Sequence, residues 1–528
     1  MPCDRILVGY YTYRPISSKK EYIIMTKRIL SLLLAVWMLI PMLAACNDTP
    51  DTPDSPNTPG SSDVSDTTPE DAPPSGLVLD KTDFGGAKLR ILGISENVYL
   101  GYYATDDIWR EADGADQFES AVYKRQQDCI NKYNFSIEYT PSDSSTKAIT
   151  DFVAGGLDQV DLAFGLWSSM FGISKKGNLL DLREMATIDL KNTWWDQNAN
   201  DSLSLANRLF YTTGEVSTID DQCTRALYFN KTLAENKQLE SPYTLVRSNQ
   251  WTFDKFAEMC RSVYTDVDGE GDTDENDVIG FFYENGQFSY LMTAVGEKYA
   301  TLDETGKPQY TWLQTSDAVT KLENVANLLI DDKVTMNINA YKTGGGASSS
   351  NIYAYARSKF AAGKHLFSIG GALVISEFAD MEDEFGIVPM PKWNADQNKY
   401  YHVVETVTPM YGIPNTKTDT TDIGYMIEYF SYEGQQTVTP IYKENMLKRR
   451  YAPDADSADM LDIIYANRSF DVGYVCNWGE ITSMGDSSVA SGRAPKMASY
   501  NRAGKSVSAL IDKEYEEFLK VGKDTPAE

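Results

Sequence analysis

The pattern of apolar and polar positions marks three strands early in the chain, at residues 88–94 (KLRILGI), 134–140 (NFSIEYT) and 160–164 (VDLAF). Between the first two strands, apolar residues recur at helical spacing at Ala121, Val122, Cys129, Ile130 and Tyr133. Strands that alternate with helices pair in parallel through crossover connections. The pattern therefore predicts the α/β fold class.

A second unit is predicted to begin with a strand at residues 224–230 (TRALYFN). A helix follows, with Thr252 placed as its N-cap and an apolar face at Phe253, Phe256, Ala257, Cys260 and Val263. Further strands are predicted at 366–375 and 385–391, and helical patterns at 423–430 and 460–465. No second linker separates these elements, which favours two closely joined lobes over independent domains.

The N-terminal region has the order of a secretory signal. Read from Met25, Lys27 and Arg28 precede an apolar stretch over 29–43, and Ala44-Ala45-Cys46 closes it. This ending resembles the lipobox of bacterial lipoproteins, in which the cysteine is acylated and becomes the new N-terminus. We expect residues 1–24 to reflect an upstream start codon, 25–45 to be the signal peptide, and Cys46 to carry the lipid.

A tether follows over residues 46–83. Its core, 47–76, holds seven acids and seven prolines and no Lys, Arg or aromatic residue. Such a segment cannot bury enough apolar surface to fold. The whole chain carries a formal charge of −28, which becomes −32 without residues 1–45. This balance disfavours nucleic acid as a partner, because phosphate binding depends on Lys and Arg.

Histidine and cysteine narrow the candidate chemistry further. The two histidines, His365 and His402, cannot form a three-His zinc site, and both are interpreted as structural. Cys129, Cys223, Cys260 and Cys476 are widely spaced, with no CxxC among them. We expect buried free thiols instead of a disulfide framework.

Short phrases along the mature chain resemble one family. They are AVYKR at 121–125, TWWDQNA at 193–199, LYFNK at 227–231, QWTFDKF at 250–256, FGIVPMPK at 385–392 and YVCNWG at 474–479. In this order, and after a lipobox and an acidic tether, they resemble the extracellular solute-binding proteins of family 1, the sugar-binding lipoproteins of bacterial ABC importers.

The resemblance implies a two-lobed, periplasmic-binding-protein-like fold of type II, with a hinge that the chain crosses more than once. The crossings are expected near 223–230, near 368–372 and after Pro414. Lobe 1 is then predicted to comprise 84–223 and 372–414, and lobe 2 to comprise 224–371 and 415–528.

One acidic loop has the ligand spacing of a twelve-residue calcium site. Oxygen ligands stand at Asp266, Asp268 and Glu270, Gly271 allows the turn, and Asp277 occupies the twelfth position. Asp272 would contribute its carbonyl, and Asp274 could bind through water. Asp277 is shorter than the usual Glu, and a strand-like segment follows the loop, so we expect a structural Ca²⁺ outside a paired EF-hand. The alternative is a solvated acidic turn.

Candidate ligand-binding residues follow from the rule that ligands lie at the carboxyl ends of strands in open α/β sheets. Sugars stack on aromatic rings and bond to planar polar groups. The residues predicted on this basis are Glu96, Trp109, Trp167, Ser168, Ser169, Asp220, Asp221, Glu405 and Trp478. Core packing is the alternative for each tryptophan.

Together these features predict a lipid-anchored receptor on the extracellular face of the membrane. As a monomer, it would capture a carbohydrate, an oligosaccharide or a related solute, and deliver it to ABC permease subunits. A peptide or another organic solute stays open as the ligand. The membrane would be contacted through the lipid alone, and no enzymatic activity is expected. Two alternatives stay open: a surface glycoside hydrolase that uses two carboxylates, and a calcium-stabilised carbohydrate adhesin.

Overall fold

The structure is a computed structural model that describes residues 77, 80–338, 352–378, 380–417, 419–444 and 455–522. The predicted signal peptide, Cys46 and nearly all of the tether lie outside the described residues. Within the described ranges, no helix combines the length and the apolar character needed to cross a membrane.

The described residues form strands β1 (Ala87–Ile94), β2 (Phe135–Ser142), β3 (Leu162–Leu166), β4 (Arg225–Asn230), β5 (Phe281–Tyr283), β6 (Ala300–Leu302), β7 (Pro308–Tyr310), β8 (Thr335–Asn337), β9 (Phe367–Gly371), β10 (Phe385–Val388), β11 (His402–Val403), β12 (Pro409–Gly412) and β13 (Arg468–Ser469). The helices are α1 (Gln117–Tyr133), α2 (Ser145–Gly155), α3 (Trp167–Ser174), α4 (Gln197–Ser202), α5 (Ile219–Cys223), α6 (Lys231–Asn236), α7 (Pro242–Arg247), α8 (Phe253–Ser262), α9 (Gln287–Ala294), α10 (Ala318–Ile330), α11 (Ile352–Ala361), α12 (Thr421–Glu444), α13 (Ala455–Ala466), α14 (Val472–Cys476), α15 (Ile481–Ala490) and α16 (Met497–Phe518).

The first lobe contains a four-stranded sheet in the order β12-β3-β1-β2. β1 is parallel to both β2 and β3, as the strand–helix–strand pattern predicts, and β12 joins the edge antiparallel to β3. Helix α1 begins where the Asp116 side chain accepts a hydrogen bond from the Glu119 amide, and it ends at Asn134 in the left-handed conformation (φ 55°). Its predicted apolar face is buried, except for Ile130, which is 41% exposed.

The second lobe contains a three-stranded antiparallel sheet in the order β10-β4-β9. The helix predicted after Thr252 is α8, and the Thr252 hydroxyl accepts the Lys255 amide as its N-cap. Strand β10 corrects the predicted lobe boundary, because residues 385–388 pair with β4 and so belong to the second lobe. The chain therefore does not return to the first lobe near 368–372; it returns between Val403 and Pro409.

The third crossing also lies later than predicted. Helix α12 packs along α1 of the first lobe, where the Tyr133 hydroxyl donates to Glu433 at 2.6 Å and Lys132 pairs with the same carboxylate at 2.8 Å. Helix α13 packs against β10 of the second lobe. The crossing thus falls between α12 and α13, and residues 421–444, which the sequence assigned to lobe 2, lie on lobe 1.

The hinge region also holds the short parallel pair β11 and β13. His402 of β11 is buried, and its Nδ1 lies 3.0 Å from the Arg225 carbonyl oxygen. Burial lowers the pKa of His402 to about 4 and that of His365 to about 3, so both imidazoles are neutral packing groups at neutral pH. Of the four cysteines described, all have free thiols, and only Cys476 is incompletely buried.

The last helix, α16, contacts both lobes. Near its start Tyr500 packs on Trp312 of the second lobe, with ring centroids 6.0 Å apart. Near its end Phe518 packs against Phe171 and Phe210 of the first lobe. The two lobes are therefore connected both through the hinge and through this helix.

Candidate functional site

Three adjoining cavities lie where segments of the two lobes face each other. The tyrosine cavity, of about 420 Å³, is lined by Tyr99, Leu100, Tyr102, Tyr103, Arg225, Glu284, Asn285, Tyr290, Tyr353, Arg357, Ile369, Gly370, Leu373, Val374, Glu405 and Val407. The hydroxyl cavity, of about 460 Å³, is lined by Ser168, Asn285, Gly286, Thr406, Tyr474, Val475, Asn477, Thr482, Ser483, Asp486 and Ser487. The outer cavity, of about 450 Å³, is lined by Glu96, Leu100, Gly101, Tyr102, Ala104, Asp106, Gln222 and Leu373. Shared lining residues join all three into one cleft.

Both lobes contribute side chains to the tyrosine cavity. From the first lobe comes the loop after β1, in which Tyr99 and Leu100 adopt left-handed backbone angles (φ 49° and 59°). These side chains remain 56% and 75% exposed, although residues of this size usually bury their apolar surface. From the second lobe, helix α11 contributes Tyr353, which is 47% exposed. An exposed apolar surface shared between two lobes is typical of a binding site.

The floor of the tyrosine cavity is a buried ion pair at the hinge. Arg225, the first residue of β4, pairs with Glu405 in the segment that returns to the first lobe. The Tyr103 hydroxyl donates to Glu405 at 2.7 Å, and the Tyr290 hydroxyl lies 3.4 Å from the other carboxylate oxygen. Burial raises the pKa of Tyr103, which keeps its hydroxyl a hydrogen-bond donor at neutral pH.

A second ion pair lies on the side of the cavity, within the second lobe. The Arg357 guanidinium donates to both carboxylate oxygens of Glu377, at 2.7 and 2.8 Å. The Tyr102 hydroxyl, from the first lobe, donates to Glu377 at 2.9 Å and accepts from Arg357 at 3.1 Å. Such bidentate pairs hold their geometry well. This pair therefore positions Tyr102 against the second lobe.

The hydroxyl cavity presents uncharged polar groups around one acid. Asp486 of α15 accepts hydrogen bonds from the Gly286 amide at 3.1 Å and from the Ser289 hydroxyl at 2.8 Å. Burial raises the pKa of Asp486 to about 6. Asn477, in the left-handed conformation (φ 45°), accepts the Thr482 amide at 3.0 Å. Hydroxyl and amide groups in this density suit a ligand that carries many hydroxyls.

Three of the predicted binding residues lie on the cleft. Ser168 lines the hydroxyl cavity, Glu405 the tyrosine cavity and Glu96 the outer cavity. Ser168 is held there because its backbone amide, at the start of α3, donates to the Thr406 carbonyl at 3.0 Å. Of the positions predicted after β1 and β3, Glu96 and Ser168 therefore border the cleft.

The two tryptophans expected to stack on the ligand are packing residues instead. Trp167 is fully buried, and its ring packs edge-on against Phe470 at 5.9 Å. Trp478 is 7% exposed, packs beside α16 and donates its indole N–H to Glu514. Neither ring lines the cleft, and this part of the site prediction is corrected.

The remaining predicted residues lie away from the three cavities. Trp109 is 37% exposed and Ser169 is half-buried, and neither lines the cleft. Asp220 and Asp221 are buried in the hinge, where both pair with Arg468 at 3.2 and 2.5 Å. One oxygen of each aspartate pairs with this cation, and neither residue lines the three cavities, so both are hinge residues.

The sequence prediction missed the tyrosines and the arginines of the tyrosine cavity. Tyr102 and Tyr103 follow β1 within ten residues, in the region where polar ligand groups were expected. The prediction named only tryptophans as stacking residues, although a tyrosine ring also combines an apolar face with a polar tip. Tyr353 and Arg357 gave no local signal, because only the folded second lobe brings α11 to this cavity.

The acidic loop gathers most of the predicted calcium ligands. Carboxylate oxygens of Asp266, Asp268 and Asp277 lie within 4.8 Å of one another, and those of Asp268, Glu270 and Asp274 form a second such group. Repulsion from Asp268 raises the pKa of Glu270. The Asp266 and Asp277 carboxylates also accept backbone amides, which shapes the turn without any ion. The donor set fits Ca²⁺, and its binding, with Asp272 contributing a carbonyl, stays a prediction.

Comparisons with known proteins bear on the fold. No protein-family model matches the sequence, and no curated protein matches it either. Among solved structures, a cyclo/maltodextrin-binding protein complexed with maltotetraose superposes with a TM-score of 0.51 at 13% identity, over 81% of this chain and 97% of that one. The maltose-binding periplasmic protein MalE of Listeria monocytogenes, in complex with maltose, gives 0.50 at 11% identity, over 81% and 98%. UspC of M. tuberculosis gives 0.50 at 13% identity, over 80% and 99%.

These similarities span nearly the whole length of the known structures. At such low identity they establish the fold alone. The chain has the two-lobed α/β fold of type II binding proteins, and the predicted fold class is confirmed.

Proposed function

We propose that this protein is a solute-binding receptor that captures an oligosaccharide in the cleft between its lobes for import through an ABC transporter. The observation that carries the proposal is the cleft itself, which joins exposed tyrosine rings to a cavity of hydroxyl and amide groups. Sugar rings offer apolar faces and many hydroxyls, so they need both kinds of surface at once. The fold, shared with proteins that bind maltose and maltotetraose, supports the same ligand class.

Binding would act by closing the lobes on the ligand. Tyr99 and Ser168 reach the cleft from the first lobe, and Tyr353 and Asp486 reach it from the second. A ligand that contacts both sides stabilises the closed arrangement more than the open one, and so shifts the equilibrium between them. The permease would then recognise the closed form.

A receptor, and not a hydrolase, is the activity that this cleft favours. Glycoside hydrolysis needs one carboxyl group as an acid and a second as a base or nucleophile. Glu405, a buried acid of the tyrosine cavity, is paired with Arg225 and accepts a hydrogen bond from Tyr103, so these partners occupy its oxygens. We therefore expect the bound glycan to leave the protein unchanged.

The proposal includes attachment to the outer face of the membrane. Acylation of Cys46 would hold the protein there through its lipid, with the acidic tether as a spacer between the membrane and the lobes. A permease in the same membrane would then meet the receptor at high local concentration.

The test is a binding screen with two matched variants. Neutral α- and β-linked oligosaccharides should raise the melting temperature of the mature protein, since a ligand of the native state stabilises it. Tyr353→Ala should weaken binding by about 1–3 kcal/mol through lost apolar contact, or roughly ten- to a hundredfold in Kd. Trp109→Ala removes an exposed ring outside the cleft and should leave calorimetric Kd unchanged.

Two outcomes would contradict the proposal. One is a screen in which no oligosaccharide stabilises the protein or gives heat of binding. The other is chromatography that finds shortened glycans after incubation with purified protein, which would identify a hydrolase.

A further inference from the structure

The charge of the cleft restricts the glycan it can take. The residues that line its three cavities include five carboxylates, Glu96, Asp106, Glu284, Glu405 and Asp486, and two guanidinium groups, Arg225 and Arg357. The formal charges of these described residues sum to −3 on the cleft surface. A low-dielectric cleft of one sign concentrates ligands of the opposite sign and repels those of its own.

Both cations of the cleft are already neutralised by the protein. Arg225 is paired with Glu405, and Arg357 is bound through two hydrogen bonds to Glu377. A uronate, sulfate or phosphate on a ligand would compete with these carboxylates for the two guanidinium groups. The cleft therefore opposes an anionic glycan through repulsion and through this competition.

Glu284 is a cleft acid that makes no direct ion pair with any residue that the structure describes. It lies between β5 and α9, half-buried on the wall of the tyrosine cavity, and among the described residues no hydrogen bond or ion pair reaches its carboxylate. Burial raises its pKa, because the cavity solvates the carboxylate less well than water does, and the charges of Arg225 and Arg357 oppose this rise. A half-buried charge of this kind is stabilised when a cation or several donors approach it.

The surroundings of Glu284 favour a cation in particular. Five tyrosines line the same cavity, at positions 99, 102, 103, 290 and 353. Tyr353 lies near Glu284, since after burial the carboxylate is the next cause that raises the pKa of this phenol. Aromatic faces and a carboxylate on one cavity wall are the combination that recognises an ammonium group, through cation–π attraction and an ion pair.

We propose that the cleft is selective for glycans that carry a free amine, that Glu284 and the neighbouring tyrosine rings receive the ammonium group, and that anionic glycans are excluded. The inference rests on the proposed oligosaccharide binding and names the substrate class of that same cleft. A neutral glycan can occupy the cavity, but it leaves Glu284 with hydroxyl donors only.

The experiment compares matched tetrasaccharides by calorimetry at about pH 6, where the sugar amine is protonated. For both α- and β-1,4 linkage, glucose, glucosamine, N-acetylglucosamine and uronate tetramers are titrated into the mature protein. We expect the glucosamine tetramer of one series to bind at least about tenfold more tightly than the glucose and N-acetylglucosamine tetramers, and the uronate not to bind. Added salt should reduce this advantage.

Glu284→Gln tests the residue directly, since it removes the charge and keeps the shape. The variant should lose the roughly tenfold preference for the amine and keep its affinity for the glucose tetramer within about threefold. Glu304→Gln, which removes an exposed carboxylate outside the cleft, should retain the preference. Thermal melting of both variants checks that they are folded.

The outcomes separate this inference from the proposed function. If neutral tetramers bind as tightly as the glucosamine tetramer, or if Glu284→Gln keeps the preference, amine selectivity is wrong and oligosaccharide capture stands. Binding of the uronate would also overturn the inference. If no tetramer of either linkage binds, the proposed function fails and the inference fails with it.

Discussion

Two regions of this protein combine arginine with several carboxylates, and they differ in what the protein leaves unsatisfied. In the hinge, Arg468 is enclosed by Asp196, Asp220 and Asp221 at 2.8, 3.2 and 2.5 Å. In the tyrosine cavity, each arginine pairs with one glutamate, and Glu284 has no direct ion pair within the part of the chain that the structure describes. In the hinge, the arginine and the aspartates pair with one another. The tyrosine cavity, in contrast, retains a carboxylate with which a ligand can pair.

The comparison shows why residue type alone does not locate a binding site. Asp220, Asp221 and Glu405 are all buried acids near the same crossing, and the sequence predicts all three as ligand contacts. Burial raises the pKa of Asp220 well above its usual range, and Arg468 opposes the shift. These hinge acids stabilise the joint between lobes, and only acids that border the cavity can act on a ligand.

The largest expected effect is the difference in stability loss between substitution of Arg468 and substitution of Arg357. Arg468→Met should lower the free energy of unfolding by about 3–5 kcal/mol, because it strands three buried aspartates. Arg357→Met should cost about 1 kcal/mol, because Glu377 is 27% exposed and water can solvate it. Urea unfolding of both variants measures the difference. Equal losses would mean that the hinge cluster is no more enclosed than the cleft.

A smaller effect is expected from pH, through Glu215 beside the hinge cluster. Burial, and then the charge of Asp221, raise the pKa of Glu215 from 4.5 to about 7. The folded state therefore holds this proton more tightly than the unfolded state, so its contribution to stability is present below pH 4.5 and is lost as the pH rises to about 7.

Glu215→Gln tests this contribution. Between about pH 5 and pH 7.5, wild-type protein should lose about 1–3 kcal/mol more stability than the variant does. The glutamine can still accept the hydrogen bond that the Thr439 hydroxyl donates to Glu215. Parallel pH profiles of wild type and variant, measured by urea unfolding, would show that Glu215 titrates normally.

The smallest effect concerns a third group of acids, the acidic loop, which has no arginine at all in its two carboxylate groups. Calcium in tenfold excess over its Kd should stabilise the protein by roughly 1.4 kcal/mol, and a chelator should remove the gain. Asp266→Ala combined with Asp268→Ala should abolish the calcium response in thermal melting. Identical melting curves with and without calcium would leave the loop as a solvated turn.

The fold of the first lobe could be predicted because its strands and α1 have strong local patterns. The lobe boundaries could not. Strand β10 is a short apolar run at 385–388, and its partner, β4, lies about 155 residues earlier in the chain. The residues of β10 alone do not indicate with which strand it pairs. Likewise α12 has an apolar face, but its packing on α1 depends on tertiary contacts alone.

The site shows the same limit at the scale of one residue. The sequence places the start of α3 correctly beside the cleft, yet it assigns ligand contact to both Trp167 and Ser168. Successive residues on a helix point about 100° apart, so one faces the core while the next faces the cavity. Of the two residues, the apolar Trp167 is the one expected in the core. The prediction that its ring contacts the ligand rested on residue type alone and did not use the helical geometry.

Helix α16 has a mechanical consequence for any motion of the lobes. Its 22 residues extend about 33 Å, with the first half fixed on one lobe and the last turn, at Phe518, seated on the other. A rotation between the lobes must therefore slide or lift that last turn from Phe171 and Phe210. The position of the C-terminal end of the helix relative to the first lobe therefore depends on the hinge angle. A probe attached near residue 520 would report closure of the lobes from outside the cleft.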